Sequence, residues 1–190
     1  MSLLPQKEEY KEYTYEEWLE LDNNEDTELI DGIVYMRYGP GKHSGPSRRH
    51  QKISMAFSVA FGSFLLGKTC EVYADLPVRL NKDKDTTVRP DISVICDPGK
   101  LDDKGCNGPP DLIVEILSPS NMAEDVWTKY NKYLLAGVKE YWIVDPVKNE
   151  VTVYILEDSI YIRSFYTQKD IIPVTTLPGC EVDLNVIFAK

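Results

Sequence analysis

"PPDLIVEILSPS", residues 109–120, is bracketed by prolines and carries Leu112, Ile113, Val114, Ile116 and Leu117 with almost no polar position between them. A short, continuous apolar run of β-favouring residues predicts a strand covered on both faces, the pattern of a buried strand in an α/β sheet. Glu115 stands in the middle of that run. A lone buried carboxylate costs several kcal/mol unless it is paired, protonated or coordinated. The stretch therefore decides the fold class and also poses the functional question, which is what Glu115 is for.

Outward from this strand the periodicity alternates between helix and sheet. "TYEEWLEL" (14–21) predicts a short helix with a capping box, Thr14 followed three residues later by Glu17. "ELIDGIVYMR" (28–37) predicts a hairpin turning at Asp31-Gly32. From Ser47 to Leu66 apolar residues recur at helical spacing, taken as Ile53, Ala56, Val59, Ala60 and Phe64. Strands follow at "EVYADLPVRL" (71–80) and "VRPDISVICD" (88–97) before the opening stretch. After it, Ser120 or Asn121 caps a helix, "AEDVWTKYNKYLLAG" (123–137), stopped by Gly137. "EYWIVDP" (140–146) is a further apolar strand, "EVTVYILED" with "SIYIRSFYTQ" (150–168) a hairpin, and the tail ends in a short helix. Helices interrupting strands early and late predict one α/β domain built on a mixed sheet.

The bulk composition agrees. With 190 residues and 43% hydrophobic content, the chain supports a single domain over 1–190, residues 1–12 forming a flexible or loosely packed arm. No secretory leader is visible at the N-terminus, and the most apolar window, "ISMAFSVAFGSFLL" (53–66), is too short to span a bilayer. A soluble cytoplasmic protein with no membrane partner is expected. Cys70, Cys96, Cys106 and Cys180 are scattered without a CxxC pair, so neither a zinc site nor a disulfide framework is expected. The net charge of −10 disfavours indiscriminate nucleic-acid binding. Yet no Asp or Glu lies between Gly32 and Cys70, where Arg37, Lys42, Arg48, Arg49, Lys52 and Lys68 all fall. That local excess predicts one basic surface able to hold phosphates.

Glu115 has a companion. Asp91 opens a strand whose Ile92, Val94 and Ile95 mark it as core. Two carboxylates at the ends of neighbouring strands repel unless a cation sits between them. Oxygen ligands without a histidine cluster favour Mg²⁺ or Mn²⁺, which suits attack of water on a phosphodiester. The structural alternatives are a turn role for Asp91 and a plain ion pair of Glu115 with Lys129.

In order, "ELIDG", "HQKIS", "RPDISV", "VEILSPS" and "GVKEYWIVDP" resemble the Uma2 (DUF820) family of the PD-(D/E)xK nuclease superfamily, and the likeness covers nearly the whole chain. The resemblance implies a restriction-endonuclease-like mixed β-sheet flanked by helices. It also implies metal ligation by Asp91, Glu115 and the peptide carbonyl of Ile116. The lysine that the superfamily carries two residues after this glutamate is Leu117 here. The family likeness shifts that role to Lys129 on the following helix, with Lys132 on another face. Glu28 matches the family's first acidic position and would assist the metal. His50, with Arg48, Arg49 and Lys52, would contact substrate phosphates, and Tyr133 is read as core aromatic, with shaping of the pocket as the alternative. The activity so implied is Mg²⁺- or Mn²⁺-dependent endonucleolytic hydrolysis of DNA by a homodimer. Two alternatives are a catalytically weak binding or regulatory module on the same fold, and a metal-dependent hydrolase of a small phosphorylated substrate.

Overall fold

The computed structural model describes residues 11–22, 24–37, 46–81, 85–118 and 123–189, with the main chain alone for 123–126. Near the N-terminus come α1 (Tyr15–Leu19), β1 (Thr27–Ile30), β2 (Ile33–Met36) and the long helix α2 (Arg48–Leu65). Strands β3 (Glu71–Ala74), β4 (Val78–Asn81), β5 (Thr86–Val88), β6 (Ile92–Ile95), β7 (Leu101–Asp102), β8 (Gly105–Asn107) and β9 (Leu112–Ile116) follow. Helix α3 (Ala123–Ala136) leads to β10 (Glu140–Asp145), β11 (Glu150–Glu157) and β12 (Ile160–Thr167). The chain closes with β13 (Ile171–Pro173), β14 (Glu181–Asp183) and α4 (Leu184–Ile187).

Local chemistry accounts for several element ends. Both halves of the capping box at α1 form: Thr14 Oγ1 accepts from the Glu17 N–H, and the Glu17 carboxylate accepts from the Thr14 N–H. Asp31 and Gly32 both take positive φ (50° and 77°), the two-residue turn that matches strand twist in a tight hairpin. Ser47 caps α2 by accepting from the His50 N–H. Gly137, at φ 84°, ends α3 in the left-handed conformation that costs a glycine nothing.

The strands divide into two six-stranded sheets, ordered β2-β1-β5-β4-β8-β7 and β12-β11-β10-β9-β6-β3, plus a β13-β14 ribbon. The second sheet is mixed: β9 and β10 run parallel, joined by the α3 crossover, and its other pairs are antiparallel. Strand β9 is buried along its whole length. Its residues Leu112, Val114 and Ile116 join Ile53, Phe57 and Phe61 of α2, together with Trp142, in one core. Ile113 turns to the opposite core, which holds Tyr133 of α3 and Val78, Leu80 and Val88 of the first sheet. Helices α2 and α3 therefore cover opposite faces of this sheet. Among the described residues no helix is long and apolar enough to cross a membrane.

Two stretches that look like single strands are each split between the sheets. "EVYADLPVRL" breaks at Asp75 (φ 58°) into β3 of the second sheet and β4 of the first. "VRPDISVICD" breaks at Arg89-Pro90-Asp91 into β5 and β6, where proline supplies no N–H for either ladder. The two breaks touch, since the Asp75 N–H donates to the Asp91 carbonyl at 3.4 Å. Asp91 thus stands at the corner where the chain changes sheet.

Two further expectations change. The buried face of α2 is His50, Ile53, Phe57, Phe61 and Leu65, while Val59 is 57% exposed. Cys70 and Cys96 form a disulfide, against the expectation of none. They are the next cross-strand pair beyond Glu71↔Ile95, so β3–β6 pairing brings them together, and sequence spacing carries no trace of that register. Short strands β7, β8, β13 and β14 have too few residues for a legible period. The expected arm over 1–12 lies outside the described residues up to position 10, as do Lys42 and the Ser120 or Asn121 cap.

Candidate active site

The antiparallel register of β6 on β9 pairs Ile92 with Val114 and Ser93 with Ile113. Asp91 precedes Ile92 and Glu115 follows Val114, so both acids stand at the same end of the two strands. Asp91 also bonds across the strand end, its Oδ2 accepting from the Ile116 N–H at 2.7 Å.

Three further elements close on this corner. From the start of α2, the buried His50 Nε2 lies 3.1 Å from Asp91 Oδ2. Nδ1 of the same ring is buried with no hydrogen-bond partner among the described residues. From α3, Lys129 Nζ reaches Glu115 Oε1 at 3.3 Å and Glu28 Oε1 of β1 at 3.0 Å. Glu28 Oε1 also accepts from the Arg89 N–H at 2.7 Å, tying β1 to the residue before Pro90-Asp91. Glu28, Glu115 and Lys129 are each less than a tenth exposed. Lys132, one turn away, pairs instead with Asp31 in the hairpin turn.

Electrostatics follow from that burial. Desolvation, opposed by Lys129 and reinforced by the charges of Asp91 and Glu28, pushes the Glu115 carboxyl up to about 7. His50 is also raised. Burial disfavours its cation, but the hydrogen bond and charge of Asp91, with the charge of Glu115, outweigh that. Tyr133 Oη donates to Glu115 Oε1 at 2.6 Å, and its own ionisation is pushed far up by burial and by the neighbouring acids. Among the described residues, three carboxylates thus crowd this pocket against one lysine and the His50 ring, an excess of acidic over basic groups.

A divalent cation would relieve this excess, and the donor chemistry suits a hard one, since the acidic groups offer only oxygen. Among the described residues no three His, Cys, Asp or Glu side chains converge tightly enough to cage an ion by themselves. Mg²⁺ requires no such cage, because it uses one or two carboxylates and keeps much of its water. Asp91 and Glu115 fit as that pair.

The basic residues sort differently. Arg48 is exposed at the first turn of α2. Arg49 donates to the Pro146 carbonyl at 2.7 Å and to Asn149, and Lys52 donates to the Ala189 carbonyl at 2.8 Å. Sequence reasoning missed the Arg89 N–H and read Tyr133 as core before pocket, whereas it belongs to both. Tyr133 had a signal, since it lies four residues after Lys129 and so on the same helix face.

Glu28 and Glu115, buried beside Lys129, and half-buried Asp91 form one polar centre at the junction of the two sheets. The chain belongs to the Uma2 family, described as "Putative restriction endonuclease", whose pattern matches residues 9–186. It is 32% identical over 142 residues to the uncharacterized protein slr1290 of Synechocystis, covering 74% of this chain and 70% of that protein. Its fold resembles the crystal structure of a putative nuclease belonging to DUF820 from Anabaena variabilis. The TM-score is 0.74 at 21% identity, covering 93% of this chain and 97% of that one.

Proposed function

We propose that the protein is an Mg²⁺- or Mn²⁺-dependent endonuclease that hydrolyses phosphodiester bonds in DNA, with residues 1–190 as one catalytic domain. One observation carries the reading. Glu115, pushed up to about 7 in an apolar strand, stands at the same strand end as Asp91 and shares Lys129 with Glu28. Membership of a family described as restriction endonuclease supports the same chemistry. Asp91 and Glu115 hold the metal, with the Ile116 carbonyl as a further oxygen. When bound, the ion polarises the phosphate and lowers the pKa of a water. Lys129 orients that water and offsets charge developing on the phosphoryl oxygens. Glu28 keeps Lys129 aimed at Glu115 and assists the metal through water. His50 steadies Asp91 at the substrate side of the pocket, and Arg48 contacts the backbone phosphates, with Arg49 and Lys52 at the margin of that surface. A homodimer is part of the proposal. The edge strand β12 exposes Ile160, Ile162 and Phe165, and sedimentation velocity reads the assembly directly.

The test is incubation with plasmid and oligonucleotide duplexes in Mg²⁺ or Mn²⁺, beside Asp91→Ala and Lys129→Ala. Metal-dependent nicking is expected for wild type and loss of about two orders of magnitude or more for each variant. A second reading, hydrolysis of a small phosphorylated substrate, draws on the engagement of Arg49 and Lys52 with the chain's own carbonyls. Metal binding without binding or cutting of any nucleic acid at low salt would replace the first reading with this one.

A further inference from the structure

The two helices meet the acid pair in different ways. Glu115 Oε1 receives two donors from α3, Tyr133 Oη at 2.6 Å and Lys129 Nζ at 3.3 Å. Lys129 is shared, because its ammonium also serves Glu28 at 3.0 Å. Tyr133 makes the shorter bond of the two to Glu115, and it is wholly buried. Its ring is fixed as well, packed edge-on against Tyr141 with centroids 5.0 Å apart. Tyr141 in turn stacks on Tyr154 at 5.8 Å, and Tyr130 meets Tyr154 at 5.1 Å. A hydroxyl on such a rigid mount can hold a carboxylate in one rotation, whereas a lysine on four flexible bonds follows its partners.

We infer that Tyr133 is a positioning residue: by occupying Oε1, its hydroxyl turns the Glu115 carboxylate so that Oε2 is the oxygen offered to the metal. The inference rests on the proposed metal role of Glu115. Its physical basis is general, since ligating carboxylates are oriented by hydrogen bonds from groups that never touch the ion. Removing the hydroxyl while keeping the ring, as Tyr133→Phe does, leaves the aromatic packing in place and frees the carboxylate to rotate.

The experiment compares full-length wild type, Tyr133→Phe, Glu115→Gln and the double variant. Mn²⁺ affinity is read by electron paramagnetic resonance and plasmid cleavage by initial rates. Tyr133→Phe is expected to fold normally by circular dichroism and to bind Mn²⁺ about tenfold more weakly. Its kcat should fall at limiting Mn²⁺ and recover at saturating Mn²⁺, with KM for DNA unchanged. In the Glu115→Gln background the same substitution should change Mn²⁺ affinity no further, a pattern that a merely structural loss would not produce. Equal Mn²⁺ affinity of wild type and Tyr133→Phe, or an equal loss in both backgrounds, overturns the inference. Failure of wild type to bind Mn²⁺ at all sinks the metal reading instead. The inference is then judged on the metal-free protein by the infrared carboxylate band of Glu115, isolated as wild type minus Glu115→Gln at alkaline pH. That band must shift in Tyr133→Phe, and an unshifted band refutes the positioning role.

Discussion

Two buried glutamates in neighbouring strands show how a residue's partners separate structure from chemistry. Glu140 is fully buried, and its carboxylate accepts from Trp142 Nε1 at 2.9 Å and from the N–H and hydroxyl of Thr176 at 2.8 and 2.9 Å. All three donors are neutral groups, and the two from Thr176 pin the turn after β13 to β10, so this acid is a structural staple. Glu115 meets instead a lysine shared with Glu28, a tyrosine and two neighbouring acids. Its folded pKa, about 7, lies above the ordinary carboxylate value. The sign follows: the ionised form is disfavoured in the folded state, so metal-free stability rises as pH falls from 7 toward 4.5. Above that window Glu115→Gln should be the more stable protein, by about 1–3 kcal/mol. Mn²⁺ should raise the melting temperature of wild type and leave Glu115→Gln unchanged. Equal Mn²⁺ shifts in scanning calorimetry would move the cation away from Glu115.

At the scale of elements, α2 and the β3–β6 pair carry separate expectations. Phe61 of α2 is fully buried against Trp142, ring centroids 5.7 Å apart, whereas Val59 of the same helix faces outward. Phe61→Ala should cost about 3–5 kcal/mol in urea unfolding, and Val59→Ala well under about 1 kcal/mol. A reversed order would mean that the helix is rotated. The Cys70–Cys96 disulfide closes a loop with a sequence separation of 26 residues. Its reduction, or Cys96→Ser, should lower stability by about 2–4 kcal/mol while β3 keeps its register. Thiol titration before and after reduction reads the bond, and two newly reactive thiols are expected.

For the whole molecule the decisive quantity is where positive charge remains available on a chain of net charge −10. Each phosphate neutralised by a side chain releases counterions, so DNA affinity should fall steeply with salt. Arg48, exposed at the start of α2, is the residue expected to set part of that slope. Arg48→Ala should flatten the plot of log affinity against log salt by about one unit. Arg49→Ala and Lys52→Ala should flatten it less, because those cations already serve the carbonyls of Pro146 and Ala189. Fluorescence titrations from low salt upward check this, and identical slopes for all three variants would remove α2 from the interface.

What the sequence determined by itself is what depends on neighbours along the chain. The capping box at Thr14, the Asp31-Gly32 turn, the glycine stop at Gly137 and the doubly covered strand around Glu115 are local, set by sterics and apolar periodicity over a few residues. Glu115 announced itself for the same reason, as a charge where the pattern admits none. Only the tertiary structure decided matters of register and rotation. It split two apparent strands between two sheets at Asp75 and Asp91, and it joined Cys70 to Cys96 across a ladder. It also turned α2 to bury Phe57 and Phe61, and drew the Tyr133 hydroxyl onto Glu115. Each of these depends on groups many residues apart meeting at one point, and their free energies appear only once both sheets and both helices are packed.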